Sequence, residues 1–523
     1  MSALRDTILF LRRFFQILLY MGGSVFAFKA KGPARLRIFF EKSSGAFIKL
    51  GQILALRQDF LPMGYTAELL SLLNRVPEVP LAEIEKVFAE DMGLPISKFF
   101  NSFDSVPIAS GSIAQVYRAV LKNNSEVVAV KIQRPNIHDV FESDFILISF
   151  LANIIDFFRI SRTVSAYEVV SDFISWTRKE LDFRHEAKNA VAIYEHSREF
   201  KETVIPKQYP DLSTKRVLIQ EYIEDAIPME HILSFKISKE ELRRRKIDPY
   251  TLSLYLIEDE MRQYFIQGFF HADPHPANLL VMNDNRLVFL DFGIVGEARD
   301  TDQRLLFLKA LYGVSQMNVN VFGINFLEFG KVMLTDELQA YFNIDFRRKR
   351  AAEEMFQKIK ELILKDFERE LHLIVDPWFK AVSDPNASLY KKSSAMIFLR
   401  VIKKAEKFGV RLPREMVLFF RTLSILDMVS LQMSPRFDMI KALQAFFEKY
   451  PIGSVHELMV REEEEKKTMP NVIPLTDVDW EFFKEISLIQ KERILAAKER
   501  VIDMVIGYAD KYEELGSLLR KMR

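Results

Sequence analysis

Two hydrophobic periods alternate along the chain and divide it. Between residues 43 and 61, Phe47, Leu50, Leu54 and Phe60 recur near helical spacing, and Pro62 stops the run. Leu69, Leu70, Leu72 and Leu73 continue the helical character until Pro77 and Pro80 break it, and 80–92 predicts another short helix. The period then shortens to two. Residues 103–108, 113–121 and 127–132 predict three strands, the last two joined by the polar turn Lys122-Asn123-Asn124-Ser125. Helical spacing returns over 145–160 and 167–200. In the second stretch Phe183, Ala187, Ala190 and Tyr194 form an apolar face, while Asp182, Glu186 and Asn189 share another. Residues 215–224 predict a strand ending in polar residues, 249–268 a helix, and the chain beyond Ala298 is helical to about Tyr450. A last helix over 480–519 carries Ile494, Val501, Val505, Tyr508, Tyr512, Leu515 and Leu519 in near-heptad spacing.

Chemistry gathers where these patterns are interrupted. Ala109-Ser110-Gly111-Ser112 is a small-residue turn between two strands, so phosphates can approach its backbone amides closely. Lys131 stands on the third strand with apolar neighbours on both sides, where an ammonium must find a partner or shift its pKa. A carboxylate on a helix packed against the sheet supplies such a partner. Glu186 is the first candidate and Glu180 the second, with pairing of Glu180 to Arg184 along the helix as the ordinary alternative. The backbone of Glu221, Tyr222 and Ile223 falls where a lobe-joining hinge would meet an adenine edge.

Residues 268–296 organise the rest. Asp273 is followed five residues later by Asn278 and, thirteen further on, by Asp291 in Asp291-Phe292-Gly293. Phosphoryl transfer from a metal-bound nucleotide needs these groups at such spacing. Asp273 is placed to orient or deprotonate the acceptor, Asn278 and Asp291 to hold magnesium, and Lys131 to grip the phosphates. Residues 279–282 and 287–290, joined by Asn283-Asp284-Asn285, predict a hairpin returning Asn278 and Asp291 to one end. His271 reads as structural, and His275, between two prolines, as a residue that rigidifies the loop.

Composition narrows the picture. At 523 residues the chain has room for two or three domains. Lys+Arg 73 against Asp+Glu 72 gives no basic field for nucleic acid. The absence of cysteine excludes disulfides, zinc–thiolate sites, iron–sulfur clusters and a cysteine nucleophile, and fits a cytosolic chain. The 45 phenylalanines suit a large core as well as proximity to lipid or an apolar substrate. The uncharged run 14–28 is shorter than the roughly 20 residues a span needs, and Gly22-Gly23 interrupts it. With Arg12, Arg13 and Lys29 it suits either an interfacial helix or packing onto the protein's own core. No secretory cleavage site is evident and no other stretch reads as long and apolar enough to cross a bilayer. The expectation is a cytoplasmic chain, soluble or peripheral on the inner face of the cytoplasmic membrane.

Lys49-Leu50-Gly51-Gln52, the small-residue turn before Ile113-Ala114-Gln115-Val116, Val130-Lys131, Glu180-Leu181-Asp182 with Glu186-Ala187 and Asn189, His271 through Asn278, and Asp291-Phe292-Gly293 together resemble the UbiB (AarF-type) family of atypical kinase-like proteins linked to ubiquinone biosynthesis. The resemblance runs from about residue 35 to about 330. It implies an α+β, two-lobed protein-kinase-like fold with an N-terminal helical extension and additional C-terminal helices. The expected boundaries are 1–95 for the extension, 96–225 for the N-lobe, 226–455 for the C-lobe and 456–523 for a C-terminal helical segment. It implies that the extension folds over the active site, making Lys49 and Gln52 site residues and excluding a bulky protein substrate. It maps the family's carboxylate motif onto Glu180 and Asp182, and it implies ATP or ADP binding, slow ATPase activity and peripheral membrane attachment. Gly111 stands where the family often has alanine, which bears on nucleotide preference.

The reading that follows is an atypical kinase or ATPase using Mg-ATP on a lipid-like molecule or an isoprenoid quinone precursor. The alternatives are a nucleotide-switched pseudokinase scaffold at the membrane surface and a protein Ser/Thr kinase. The 480–519 helix admits packing onto the domain, a homodimer or a membrane contact. Glu462 to Lys467 reads as a solvated linker or helix end.

Overall fold

The computed structural model describes residues 13–17, 19–20, 32–43, 45–55, 65, 68–69, 78–157, 166–198, 200–328, 349–384, 386–407 and 413–468. The leucines at 70, 72 and 73, most of the run 14–28 and the whole of 480–519 lie outside them. The chain divides into two compact units. One holds residues 1–199, 204–225 and 289–294, and the other 200–203, 226–288 and 295–523.

In the first unit α1 (Gly32–Ser43), α2 (Gly45–Ala55) and α3 (Leu81–Met92) precede a sheet of β1 (Phe100–Phe103), β2 (Ala109–Ser110), β3 (Ala114–Leu121), β4 (Val127–Gln133) and β5 (Val217–Glu221). Helices α4 (Ile137–Phe157), α5 (Ala166–Glu180) and α6 (Phe183–Ser197) fall between β4 and β5. The sheet is antiparallel in the order β1-β3-β4-β5, with β2 beside β3. Its first strand begins earlier than the alternation predicts, at Phe100, because Phe100 packs with Ile84, Val87 and Phe88 of α3.

Strand alternation then sorts β4 between two faces. Val128, Val130 and Ile132 turn to α3, joining Tyr117, Ala119, Val217 and Ile219 in one core. Lys131 is left on the opposite face, beside Leu218 of β5, where Phe183 and Ala187 of α6 pack against the sheet with Ala114. A third cluster joins Phe40, Phe47, Leu50 and Leu54 of the N-terminal helices to Phe141, Phe145, Phe173 and Leu181. Asp144 ties that cluster together. Its fully buried carboxylate accepts from Arg13 Nε at 2.6 Å and from the Ala46 amide at 2.9 Å. Burial pushes the Asp144 carboxyl upward, and the Arg13 charge offsets part of that rise.

The expected single helix over 167–200 is two. Leu181 and Asp182 break it, and Asp182 caps α6 by accepting the Arg184 amide at 3.1 Å. Asp182 therefore does not share a helical face with Glu186 and Asn189.

The second unit carries β6 (Ile227–Pro228), α7 (Pro249–Arg262), β7 (Phe269–His271), β8 (Leu279–Val281), β9 (Leu287–Phe289) and β10 (Val295–Glu297). Helices α8 (Thr301–Ser315), α9 (Lys349–Ser383), α10 (Ala395–Lys407), α11 (Arg414–Met433), α12 (Met439–Lys449) and α13 (Ile452–Thr468) follow. Strands β8 and β9 are neighbours in one sheet, and the turn between them places Asp284 and Asn285 at positive φ, a conformation that Asp and Asn tolerate. Strands β7 and β10 pair antiparallel, with Gly296 opposite Phe270. Glu462 and its acidic neighbours continue α13 to Thr468.

One reading of the sequence needs correction here. Glu415–Met433 is long and apolar enough to cross a membrane, and it is mostly buried within the protein. Phe419, Phe420, Leu423 and Leu426 of this helix are core residues, and Phe419 packs on Tyr264, Phe265, Phe270 and Phe307. A helix that is apolar nearly all round is what a large core needs as much as what a bilayer needs.

Candidate functional site

Lys131 gathers the site in the first unit. Its ammonium donates to Glu186 Oε1 at 2.8 Å and Oε2 at 2.9 Å, and to Asp291 Oδ2 at 2.8 Å. The Phe183 ring lies 5.1 Å from the ammonium. Glu186 sits in the first turn of α6, where the helix dipole favours a carboxylate, and its side chain is 6% exposed. Of the two glutamates the sequence offers, Glu186 meets Lys131. Glu180, at the end of α5, instead meets Lys49 of α2 at 2.8 Å, and not Arg184.

Asp291 is held from a second side, with Oδ1 accepting the Gly293 amide at 2.9 Å. Asn189 Nδ2 donates to the Phe292 carbonyl at 2.9 Å and so fixes the next residue of the same segment. Helix α6 therefore grips Asp291-Phe292-Gly293 twice, through Glu186 by way of Lys131 and through Asn189 directly.

The electrostatics follow from two carboxylates, Glu186 buried and Asp291 partly so, sharing one ammonium. Burial, together with the neighbouring Asp291, pushes Glu186 up to about 7 although Lys131 pulls it down. Burial also works against ionised Asp291. The Lys131 charge and hydrogen bond outweigh it, aided by the Gly293 amide and Lys49, and hold that carboxyl well below its usual range. Lys131 is raised, because the two carboxylates overcome the cost of its burial. The acid of higher affinity for its proton is thus Glu186, and Asp291 stays ionised. An ionised carboxylate 39% exposed is suited to a metal ion.

The small-residue turn is braced from β4's end. Arg134 Nε donates to the Gly111 carbonyl at 2.8 Å and Nη2 to Ser110 Oγ at 2.9 Å. The Arg134 amide meets the Ile113 carbonyl at 2.8 Å, and the Gly111 amide closes on the Ala114 carbonyl at 2.9 Å. Ala109 and Ser110 form β2, and Ser112 follows Gly111 in the bend before β3. At the expected hinge, the Glu221 amide donates to the Lys207 carbonyl and the Tyr222 amide to the Val127 carbonyl. Both oxygens of Asp182 accept from the Arg184 guanidinium. Gln52 lies in α2, and its side chain is outside the described residues.

Asp273 and Asn278 belong to the second unit. The Asp273 carbonyl accepts from the His275 amide at 2.8 Å and from Asn278 Nδ2 at 3.2 Å, so the loop closes on itself. Asn278 thereby commits its amide nitrogen to the loop, which leaves Oδ1 as the atom it could offer a cation. Fully buried His271 accepts the Asp273 amide on Nδ1 at 3.3 Å. His275 accepts the Ala277 amide on Nδ1 at 3.3 Å, which caps the turn at Pro276, and burial lowers its pKa. Both histidines thus rigidify the loop. Asp273 Oδ1 also accepts from Arg421 Nη2 of α11 at 3.1 Å.

Sequence reasoning missed Arg421 and Arg134. The signal for Arg421 was a lone charge within the apolar stretch Val417-Leu418-Phe419-Phe420-Arg421-Thr422-Leu423. Arg134 offered no such signal, standing in the sequence as an ordinary charged residue at a strand end.

Among the described residues no cluster of three or more His, Asp or Glu is arranged for a metal. Magnesium asks for less. It takes one or two protein oxygens, keeps waters and uses phosphate oxygens, so Asp291 and Asn278 are donors of a fitting kind.

An ammonium held by a helix carboxylate and by Asp-Phe-Gly, on an antiparallel sheet that also carries a small-residue turn, is the arrangement of a kinase-like fold. Residues 71–322 match the ABC1 atypical kinase-like domain. The probable protein kinase UbiB of Shewanella pealeana is 28% identical over 435 residues, covering 80% of this chain and 70% of that one. An uncharacterized protein of the hydrogenase 1 5′ region of Clostridium pasteurianum is 36% identical over 267 residues, or 51% of this chain. That match spans about half of the Clostridium protein, 48%. Among solved structures, the Mycobacterium tuberculosis protein Rv3197 in complex with erythromycin has a TM-score of 0.48 at 19% identity, over 79% of this chain and 93% of that one. A likeness at that level bears on neither ligand nor chemistry. The domain match and the UbiB relatives together support the UbiB/ABC1 family of atypical kinase-like proteins for this chain.

Proposed function

We propose that the chain binds Mg-ATP or Mg-ADP and transfers or hydrolyses the terminal phosphoryl group in the handling of a lipid-like molecule, an isoprenoid quinone precursor. The observation that carries the proposal is the single ammonium of Lys131 bonded to Glu186 and Asp291. Lys131 then grips the phosphates, Glu186 orients it, and Asp291 with Asn278 supplies oxygens to magnesium, which would neutralise phosphate charge. Asp273 orients or deprotonates the acceptor. Lys49, paired with Glu180, brings the N-terminal helices to the charged cluster, which supports a small acceptor over a protein one. The quinone assignment leans on the UbiB relatives, and a peripheral membrane contact and a homodimer are further parts of the same proposal. Magnesium-dependent ATP turnover by the wild type against Asp291→Asn, with and without liposomes, tests it. Turnover that Asp291→Asn abolishes is the expected result, and a wild type that binds nucleotide without turnover in any condition would replace the enzyme by a nucleotide-switched scaffold.

A further inference from the structure

Around Asp273, one cation stands outside every motif of the sequence. Arg421 is 148 residues away along the chain, yet its Nη2 reaches Asp273 Oδ1 at 3.1 Å. Position 272, directly before Asp273, is alanine, so the residue next to it in the chain supplies no charge. The guanidinium rides on a rigid support. Phe419, two residues before it in α11, packs on Phe270, which precedes His271 in β7. The same ring contact therefore sets both the helix and the strand that present the two partners. Arg421 Nε is buried and has no hydrogen-bond partner, a cost to stability that packing alone does not account for.

The Asp273 backbone does not depend on Arg421. The His275 amide and Asn278 Nδ2 hold its carbonyl, and His271 holds its amide. What Arg421 adds is a hold on the side chain alone. We propose that Arg421 is the positioning residue of the Asp273 carboxylate: it fixes Oδ1 and so leaves Oδ2 to meet the acceptor hydroxyl or the attacking water. This rests on the reading of Asp273 as the base. The proton leaves the acceptor oxygen for Oδ2 as that oxygen bonds to the terminal phosphorus and the bond from phosphorus to the nucleoside diphosphate breaks. Arg421 itself exchanges no proton.

Steady-state ATP turnover and ADP calorimetry on the full chain test the assignment with Arg421→Ala, Arg421→Lys and Asp273→Asn. Removing the hold should lower kcat by about 10²-fold, the scale of a misplaced reacting group, with ADP affinity unchanged. Arg421→Lys, which keeps one donor and the charge, should recover part of the loss, and guanidinium ion in the buffer should speed the alanine variant. Adding Arg421→Ala to Asp273→Asn should cost nothing more, since two residues acting as a unit are not additive. Wild-type kcat in Arg421→Ala, or an equal loss on the Asp273→Asn background, overturns the proposal alone. So does a joint fall of Tm and ADP affinity that Arg421→Lys does not relieve, which would mark a purely structural residue. A wild type without turnover in any condition removes the phosphoryl-transfer reading, and this proposal with it.

Discussion

Lys131 Nζ donates to Asp291 Oδ2 at 2.8 Å, closing 160 residues of chain into one ion pair. The lysine belongs to the sheet and the aspartate to a segment that returns to it from 289–294. Glu186 bonds the same ammonium, and burial together with the neighbouring Asp291 raises its carboxyl.

The Glu186 carboxyl is raised from 4.5 to about 7. A raised folded-state pKa contributes stability that is fully present below the unfolded value and is lost as pH rises through the folded one. From pH 5 to pH 8 the wild type should therefore lose stability relative to Glu186→Gln, by on the order of 1–3 kcal/mol. Asp291, held low, acts in the opposite window, losing its contribution only as pH falls below about 4. Denaturant unfolding of the two proteins at each pH checks this, and parallel pH curves would refute it.

Two glycines should part company. A Cβ on Gly111 would meet the Ala114 carbonyl at 3.6 Å, an ordinary contact, so Gly111→Ala should fold as well as the wild type or better, by about 0.4–1 kcal/mol. Any effect should appear as an altered ratio of ATP to ADP affinity. A Cβ on Gly296 would run into the Phe270 ring beside it in the β7–β10 pair, so Gly296→Ala should cost about 1–3 kcal/mol. Thermal unfolding and nucleotide titration of both variants decide it.

Breaking the Lys49–Glu180 pair should do more than a surface mutation does. Its side chains are 19% and 10% exposed, so Lys49→Ala leaves a largely desolvated carboxylate and should destabilise by about 1–3 kcal/mol, less than a fully buried pair would lose. Lys49→Met with Glu180→Leu, which removes both charges, should regain most of that. A Tm for Lys49→Ala equal to wild type would contradict the pairing.

Legibility in the sequence followed from how local each cause is. The β-branched, apolar run 127–132 announced β4 and made Lys131 its one charge, so the lysine could be read directly. The β8–β9 hairpin was readable for the same reason, its turn residues being suited to positive φ. The break at Leu181 was not, because Glu180-Leu181-Asp182-Phe183 continues a helical period and only the cap at Asp182 ends it. Which glutamate meets Lys131 depended on that break, since a continuous helix would have carried Glu180 and Glu186 on different registers. The burial of Glu415–Met433 was unreadable, because a core helix and a spanning helix have one composition. Arg421 was hidden by distance, its partner lying 148 residues away.

The most direct measurement is calorimetry of the wild type, Lys131→Met and Asp291→Asn with ADP or a non-hydrolysable ATP analogue, with and without magnesium. The account predicts nucleotide binding by the wild type, loss of most affinity in Lys131→Met, and loss of the magnesium dependence in Asp291→Asn. Absence of nucleotide binding by the wild type, or equal affinity in all three proteins, would contradict it.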